Sequence, residues 1–360
     1  MREDNDQTSP DAPQLWLYES IGSAESEWLD AQTALYQELL ESTPAIGAVS
    51  LADQSLPVFV LCPVPARALA DLQAPRLGVA ADQVPLQQAR AAVMNGVSQF
   101  AVTFERLNLD LSRFGTGPLV RMVVVTQDIG IFYMTMLRYS VIAITFDPTS
   151  ADLVDARLCD FADGQREDID MPSQNLGGDR EKRPAALAKG TLMAYFHSPR
   201  PDFKSLSDAL RPALHEHLNE VDLHYAAVYL DWDFVSAADV FEEAGPRKWL
   251  GTREDRIRQR EFYEEFGSRL HQEIGEILHI LWPLSDSELQ RLVLDVASGA
   301  LYVYPLVIDT HRAYVVGVTL SQDHVDVADH RLRDQVCPEV RRIIVDHLNE
   351  QNLLREGTRR

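Results

Sequence analysis

Three groups of side chains in this 360-residue chain have types and spacings that could carry chemistry. His215-Glu216-His217-Leu218-Asn219 comes close to a zinc-protease helix. That motif needs its second histidine four residues after the first, on the same helical face, and Asn219 stands there while His217 points elsewhere. With His224 added, His215 and His217 could still ligate a metal, although a solvated helix face is the plainer reading. His324, Asp326, Asp329 and His330 mix imidazole and carboxylate in a way that suits zinc or manganese, and 326, 329 and 330 share one side of a helix. Acidic residues at a helix start are favoured by the helix dipole in any case. Arg253, Arg256, Arg258 and Arg260 stud the start of a long helix, interleaved with acids. They read as a charged, solvated face, the sharper alternative being an arginine that reaches into a partner's nucleotide site. There is no GxxxxGK[ST] loop, no GxGxxG and no GxSxG. Cys62, Cys159 and Cys337 are far apart, form no CxxC pair and read as buried thiols. No catalytic residue, metal or cofactor is expected, and the chain reads as non-enzymatic.

The elements that must position these residues form a pattern that occurs twice. Residues 120–161 and 290–349 each contain three β-branched or aromatic runs broken at short turns, then a helix with an Arg-Leu pair. Laying Arg121 on Arg291 gives an offset of 170 residues, and laying Arg157 on Arg331 gives 174, so the later copy has a hairpin four residues longer. On this overlay the stretch holding His324 to His330 falls on one where Asp152 and Asp155 stand without histidines.

Ahead of each three-strand stretch the order also matches. In the first copy, Trp28, Ala31, Leu35 and Leu39 mark a helix that Pro44 ends, and AIGAVSL and LPVFVLC read as paired strands. A long helix follows over Leu86, Ala89, Val93, Val97, Phe100, Phe104 and Leu107. In the second copy, Phe203, Leu206, Leu210, Leu214 and Val221 mark a helix, and YAAVYLDWDFV starts a hairpin. Within it Trp232 is expected on a strand, packing on the face opposite Asp231 and Asp233. Phe262, Phe266, Leu270, Ile274 and Leu278, at four-residue steps, give the second long helix, with Ile277 and Leu281 widening the stripe, which is turned inward. The closing helix is expected to begin at Pro338, where a missing N–H is tolerated.

These readings give an α/β (α+β) chain of two duplicated units, each a mainly antiparallel five-stranded sheet with helices on both faces. Residues 1–24 are expected to be a disordered acidic tail and lead-in, 25–162 the first unit, 163–202 a linker and 203–355 the second unit.

Hydrophobic content of 46% and charged content of 24% are ordinary for a globular protein. The net charge of −22 opposes binding to a phosphate backbone, so nucleic acid is not an expected partner. No apolar run reaches the roughly 18 residues of a membrane span, and the acidic start does not resemble a signal peptide. A cytoplasmic protein is expected.

The order helix, hairpin, long helix, three-strand meander, helix resembles the Roadblock/dynein light chain superfamily. The resemblance covers about 25–161 and 203–349 and rests on AIGAVSLADQSLPVFV, on VRMVVV, IFYMTML and VIAITFDP, and on LVLDV, LYVYPLV and YVVGVTL. Type III secretion chaperone-like domains share a similar alternation and an acidic composition. The Roadblock resemblance implies the long helix on one face of each sheet, the first and last helices on the other, and pairing through a sheet edge. Strands such as VRMVVV carry main-chain groups that invite another strand, which makes Arg121, Val123, Arg291 and Val293 interface candidates, within a pseudo-dimer or a homodimer. The arginines also read as charges that protect an edge. The function implied is a regulatory or scaffold protein that binds a protein partner, including a small GTPase. The alternative is a chaperone or adaptor holding a peptide segment of a secreted or assembling protein.

Overall fold

The computed structural model describes residues 14–17, 26–53, 56–112, 117–136, 139–167, 194–197 and 201–357. The chain is α+β with antiparallel sheet pairing throughout its described strands, and it divides into two compact units. Unit 1 comprises 1–113, 118–174 and 274–290, and unit 2 comprises 114–117, 175–273 and 291–360. The segment 274–290 therefore clusters with unit 1, an exchange that boundaries drawn along the sequence do not express. Among the described residues no helix is long and apolar enough to cross a membrane.

The elements of unit 1 run β1 (Gln14–Leu17), α1 (Ser26–Ser42), β2 (Ala48–Asp53), β3 (Leu56–Cys62), α2 (Ala66–Leu77), α3 (Leu86–Ser112), β4 (Leu119–Thr126), β5 (Gly130–Met136), β6 (Tyr139–Thr145) and α4 (Ala151–Glu167). Its strands lie in the order β1-β3-β2-β6-β5-β4. Side chains alternate across a strand, and this places the helices. Phe104 of α3 stacks on Tyr133, with ring centroids 3.6 Å apart, whereas Cys159 of α4 lies 3.9 Å from the sulfur of the adjacent Met134. The long helix α3 and the closing helix α4 thus cover opposite faces. Helix α1 joins α4, since Tyr36 packs edge-on against both Phe59 of β3 and Phe161 of α4.

Unit 2, taken together with the 274–290 segment that α7 and β10 share with unit 1, runs β7 (Tyr195–Phe196), α5 (Lys204–His217), β8 (Tyr225–Leu230), β9 (Asp233–Asp239), α6 (Ala244–Leu250), α7 (Arg253–Leu281), β10 (Leu289–Val296), β11 (Gly299–Ile308), β12 (His311–Thr319), α8 (Val325–Arg331) and α9 (Cys337–Gly357). Its strand order is β10-β11-β12-β8-β9-β7. Tyr225 and Tyr229 of β8 face α7, where Tyr263 packs on Tyr225 at 5.0 Å. The opposite face holds α5, whose Ser207 bonds to Ser236 of β9 at 3.1 Å, and α8, whose Val325 carbonyl accepts from the Tyr302 hydroxyl at 2.5 Å. Counted along the chain from its first hairpin, each unit arranges five strands in the order 2-1-5-4-3.

Several expectations are corrected. Each sheet has a sixth strand: β1 pairs with β3 inside the stretch expected to be a disordered tail, and β7 pairs with β9. The rest of that tail and lead-in up to Ala24, and linker residues 168–193, lie outside the described residues; 163–167 continue α4. Asp231 and Trp232 form a turn, not a strand, with φ of 48° and 72°. Two residues of positive φ are what a tight two-residue hairpin needs to match strand twist. Trp232 stands half-exposed over Tyr314, ring centroids 4.1 Å apart. The closing helix of unit 2 starts at Val325, ahead of Pro338, because a π-helical turn over Leu332–Val336 links α8 to α9. In that turn Cys337 donates its N–H to the Leu332 carbonyl, five residues back, just before a proline that can donate nothing.

The stripe of α7 also departs from expectation. The buried apolar positions are Phe262, Tyr263, Gly267, Leu270, Ile274, Ile277 and Leu281, while Phe266 and Leu278 are only half-buried. Four-residue steps overshoot the 3.6-residue turn by about 40° each, so a strict four-residue stripe winds away from the face it starts on.

Candidate functional site

Buried arginine–aspartate pairs in both units clasp one element to another. In unit 1, Arg121 of β4 donates from Nε and Nη2 to the two carboxylate oxygens of Asp155 on α4, at 2.9 and 2.7 Å. The side chains are 2% and 1% exposed. In unit 2, Arg291 of β10 donates to Asp329 of α8, which also accepts from the Tyr304 hydroxyl. The two arginines and the two aspartates correspond on the sequence overlay. A second clasp in unit 2 joins Arg331, through Nε and Nη2, to both oxygens of Asp222 at 2.7 and 2.8 Å, with Asn219 Nδ2 on the same carboxylate at 2.6 Å. The planar guanidinium fork suits such bidentate pairing, and each pair seals charge away from water.

The densest cluster surrounds β7 in unit 2. His197 is 4% exposed, with Nδ1 2.5 Å from Glu264 Oε1 and Nε2 3.1 Å from Asp239 Oδ2. Arg260 grips Asp239 from Nε and Nη2, both at 2.8 Å, and reaches Glu242. Arg256 donates to Glu242 at 3.1 Å and to the Gly251 carbonyl at 2.9 Å. The Arg260 guanidinium lies 4.5 Å from the Tyr195 ring centroid, within cation–π range. Burial alone would push the Asp239 carboxyl up, but hydrogen bonds from Arg260 and His197 hold it below its ordinary range. Burial likewise pulls His197 down, and its bonds to Asp239 and Glu264 outweigh that and raise it.

The residues singled out in the sequence fall into this frame unevenly. Arg121, Val123, Arg291 and Val293 are all buried. Neither arginine is a surface charge warding off strand pairing, since each is clasped inside its own unit. Of the four arginines at the start of α7, Arg256 and Arg260 turn inward to carboxylates, whereas Arg258 is exposed and meets Asp255 at 3.7 Å. A uniform solvated face is thus corrected to two faces, as an i, i+4 pair would have indicated.

The metal candidates do not converge. Helix α5 ends at His217, whose Nε2 lies 2.9 Å from Glu339, and Asn219 is in the following turn, accepting the N–H groups of Val221 and Asp222. His224 is buried, its Nδ1 accepts the Leu320 N–H, and burial pushes its pKa down to about 4. His324 turns to Ser321, Asp329 to Arg291, and His330 to Arg333 and Asp334. Among the described residues, no group of three or more His, Cys, Asp and Glu could hold a metal ion. Cys62, Cys159 and Cys337 are buried free thiols.

His197, Asp239 and Glu264 escaped the sequence reading because they lie far apart in the chain and match no motif. Asp155 and Asp329 carried a usable signal: an acid recurs one turn or less before Arg157 and Arg331, opposite an arginine that recurs on the first meander strand. No family model matches the chain, and no curated protein is detectably similar to it.

Proposed function

We propose that this chain is a non-catalytic regulatory or scaffold protein that acts in the cytoplasm by capturing a protein partner, for which the Roadblock resemblance points to a small GTPase. The observation that supports this reading is the shared build of the units. Each has strand order 2-1-5-4-3, a long helix and a closing helix on opposite faces, and an arginine on the first meander strand clasped to the closing helix. Side chains that looked able to do chemistry, such as Asp329, Arg260 and His217, are engaged in joining one element to another. What remains for function is surface recognition by the scaffold, and the acidic surface steers basic partner surfaces toward it.

The test is direct binding of the purified chain to a panel of small GTPases from its host, loaded with GDP or a non-hydrolysable GTP analogue. Saturable binding to at least one member is expected. If no GTPase binds while an extended client peptide does, the GTPase reading falls and the chaperone or adaptor reading takes its place.

A further inference from the structure

The β7 strand is short, and its main chain alone holds it weakly. It pairs through Tyr195 with Asp239 and Phe196 with Ala238, and the His197 N–H donates to the Ala237 carbonyl at 3.0 Å. A two-residue strand at the end of a sheet order has few such bonds, so side chains decide whether it stays. His197 is the side chain best placed to do this, because both of its ring nitrogens face carboxylate oxygens. An ionised carboxylate only accepts hydrogen bonds, and a neutral imidazole offers one N–H and one bare lone pair. Only the imidazolium satisfies both neighbours. With the proton lost, one nitrogen lone pair of the buried ring would face a carboxylate oxygen.

From this geometry we infer that His197 is a protonation-dependent latch: as the imidazolium it ties β7 to β9 and α7, and on losing its proton it releases that strand. The groups facing it are Asp239 from β9, Glu264 and Arg260 from α7, Tyr225 from β8 and Tyr195 from β7. Tyr225 packs edge-on against the ring at 5.7 Å and has its hydroxyl pKa raised well above the ordinary value, chiefly by burial, so it stays neutral over the range concerned. Arg260 keeps its charge, and by holding Asp239 it fixes one wall of the latch. The direction follows from the raised value for His197. Its contribution is complete below the ordinary histidine value near 6.5 and is lost as pH rises through the higher value in the folded chain. The main-chain groups of β9 that β7 covers then return to solvent.

Hydrogen exchange on the whole chain, expressed as protection factors so that the intrinsic pH dependence cancels, tests this. The His197 amide should lose about tenfold or more of its protection between pH ~6 and pH ~9, while amides of the β8–β12 pairing keep theirs. His197→Gln should show low, pH-independent protection at that amide. Glu264→Gln alters only the half-exposed end of the latch and should move the loss to lower pH. Constant protection in the parent across this range would overturn the inference, as would an unshifted step in Glu264→Gln. If His197→Gln does not fold, the parent and Glu264→Gln profiles decide alone.

Discussion

Arg331 and Asp222 lie almost wholly out of water and meet through two short hydrogen bonds. A pair of this kind adds little net stability when compared with an apolar pair of similar shape, but removing one partner strands a charge in the interior. Asp222→Ala should therefore cost about 3–5 kcal/mol in a denaturant titration. Asn219 should not compensate, because its amide oxygen is already occupied by two backbone N–H groups. The acid limit of stability belongs to the same scale. Asp239 is held below its ordinary value near 3.8, so its contribution is present above that pH and is lost as pH falls through the depressed folded value. Acid unfolding followed by circular dichroism should begin below pH ~4, and Arg260→Met, which removes the strongest of the groups holding that carboxylate, should move it upward. Pairings of this sort were the least legible part of the sequence. Their partners are separated by 34 residues for Arg121 and Asp155 and by 109 for Arg331 and Asp222, and nothing local connects them.

Helix α7 shows how an element can be recognised while its inward face is misjudged. The spacing of Phe262, Leu270 and Ile274 identified the helix, and Ile277 and Leu281 beside them are buried as expected, yet the buried positions advance in alternating three- and four-residue steps through Gly267 and leave Phe266 and Leu278 half-buried. Leu270→Ala should cost about 2–5 kcal/mol, and Phe266→Ala, at a half-buried site, clearly less when both are measured by thermal unfolding. Gly267 lies on the buried side because a Cβ there would come within 1.7 Å of the Tyr229 hydroxyl. Gly267→Ala should destabilise by about 1–3 kcal/mol even though alanine favours helices, and Tyr229→Phe should recover part of the loss by removing the clashing oxygen. The ten longer strands were legible because their β-branched runs are bounded by turns. The Asp231-Trp232 turn was not, since a tryptophan at positive φ is rare. The short strands β1 and β7 have too few residues for any alternation to show.

Taken as one molecule, the chain carries a net charge of −22 in surroundings where most buried charge is already paired. Association with a partner should therefore slow as salt rises from ~50 to ~300 mM, with dissociation much less affected, because steering acts over the Debye length. The element order within each unit could be read from the sequence, whereas the grouping of 274–290 with unit 1 could not, because a segment continuous with α7 gives no local sign of where it packs. The account rests on its charged residues acting as internal clasps, and Arg121, the arginine that sequence reasoning placed at an interface, is where that can be decided. The measurement is a double-mutant cycle on Arg121→Met and Asp155→Leu, read as unfolding free energy from denaturant titrations. The clasp predicts that each single variant loses about 3–5 kcal/mol and that the double variant recovers most of it, so that the coupling is at least about 4 kcal/mol. Single variants as stable as the parent, with coupling near zero, would contradict it and return Arg121 to the partner-facing surface.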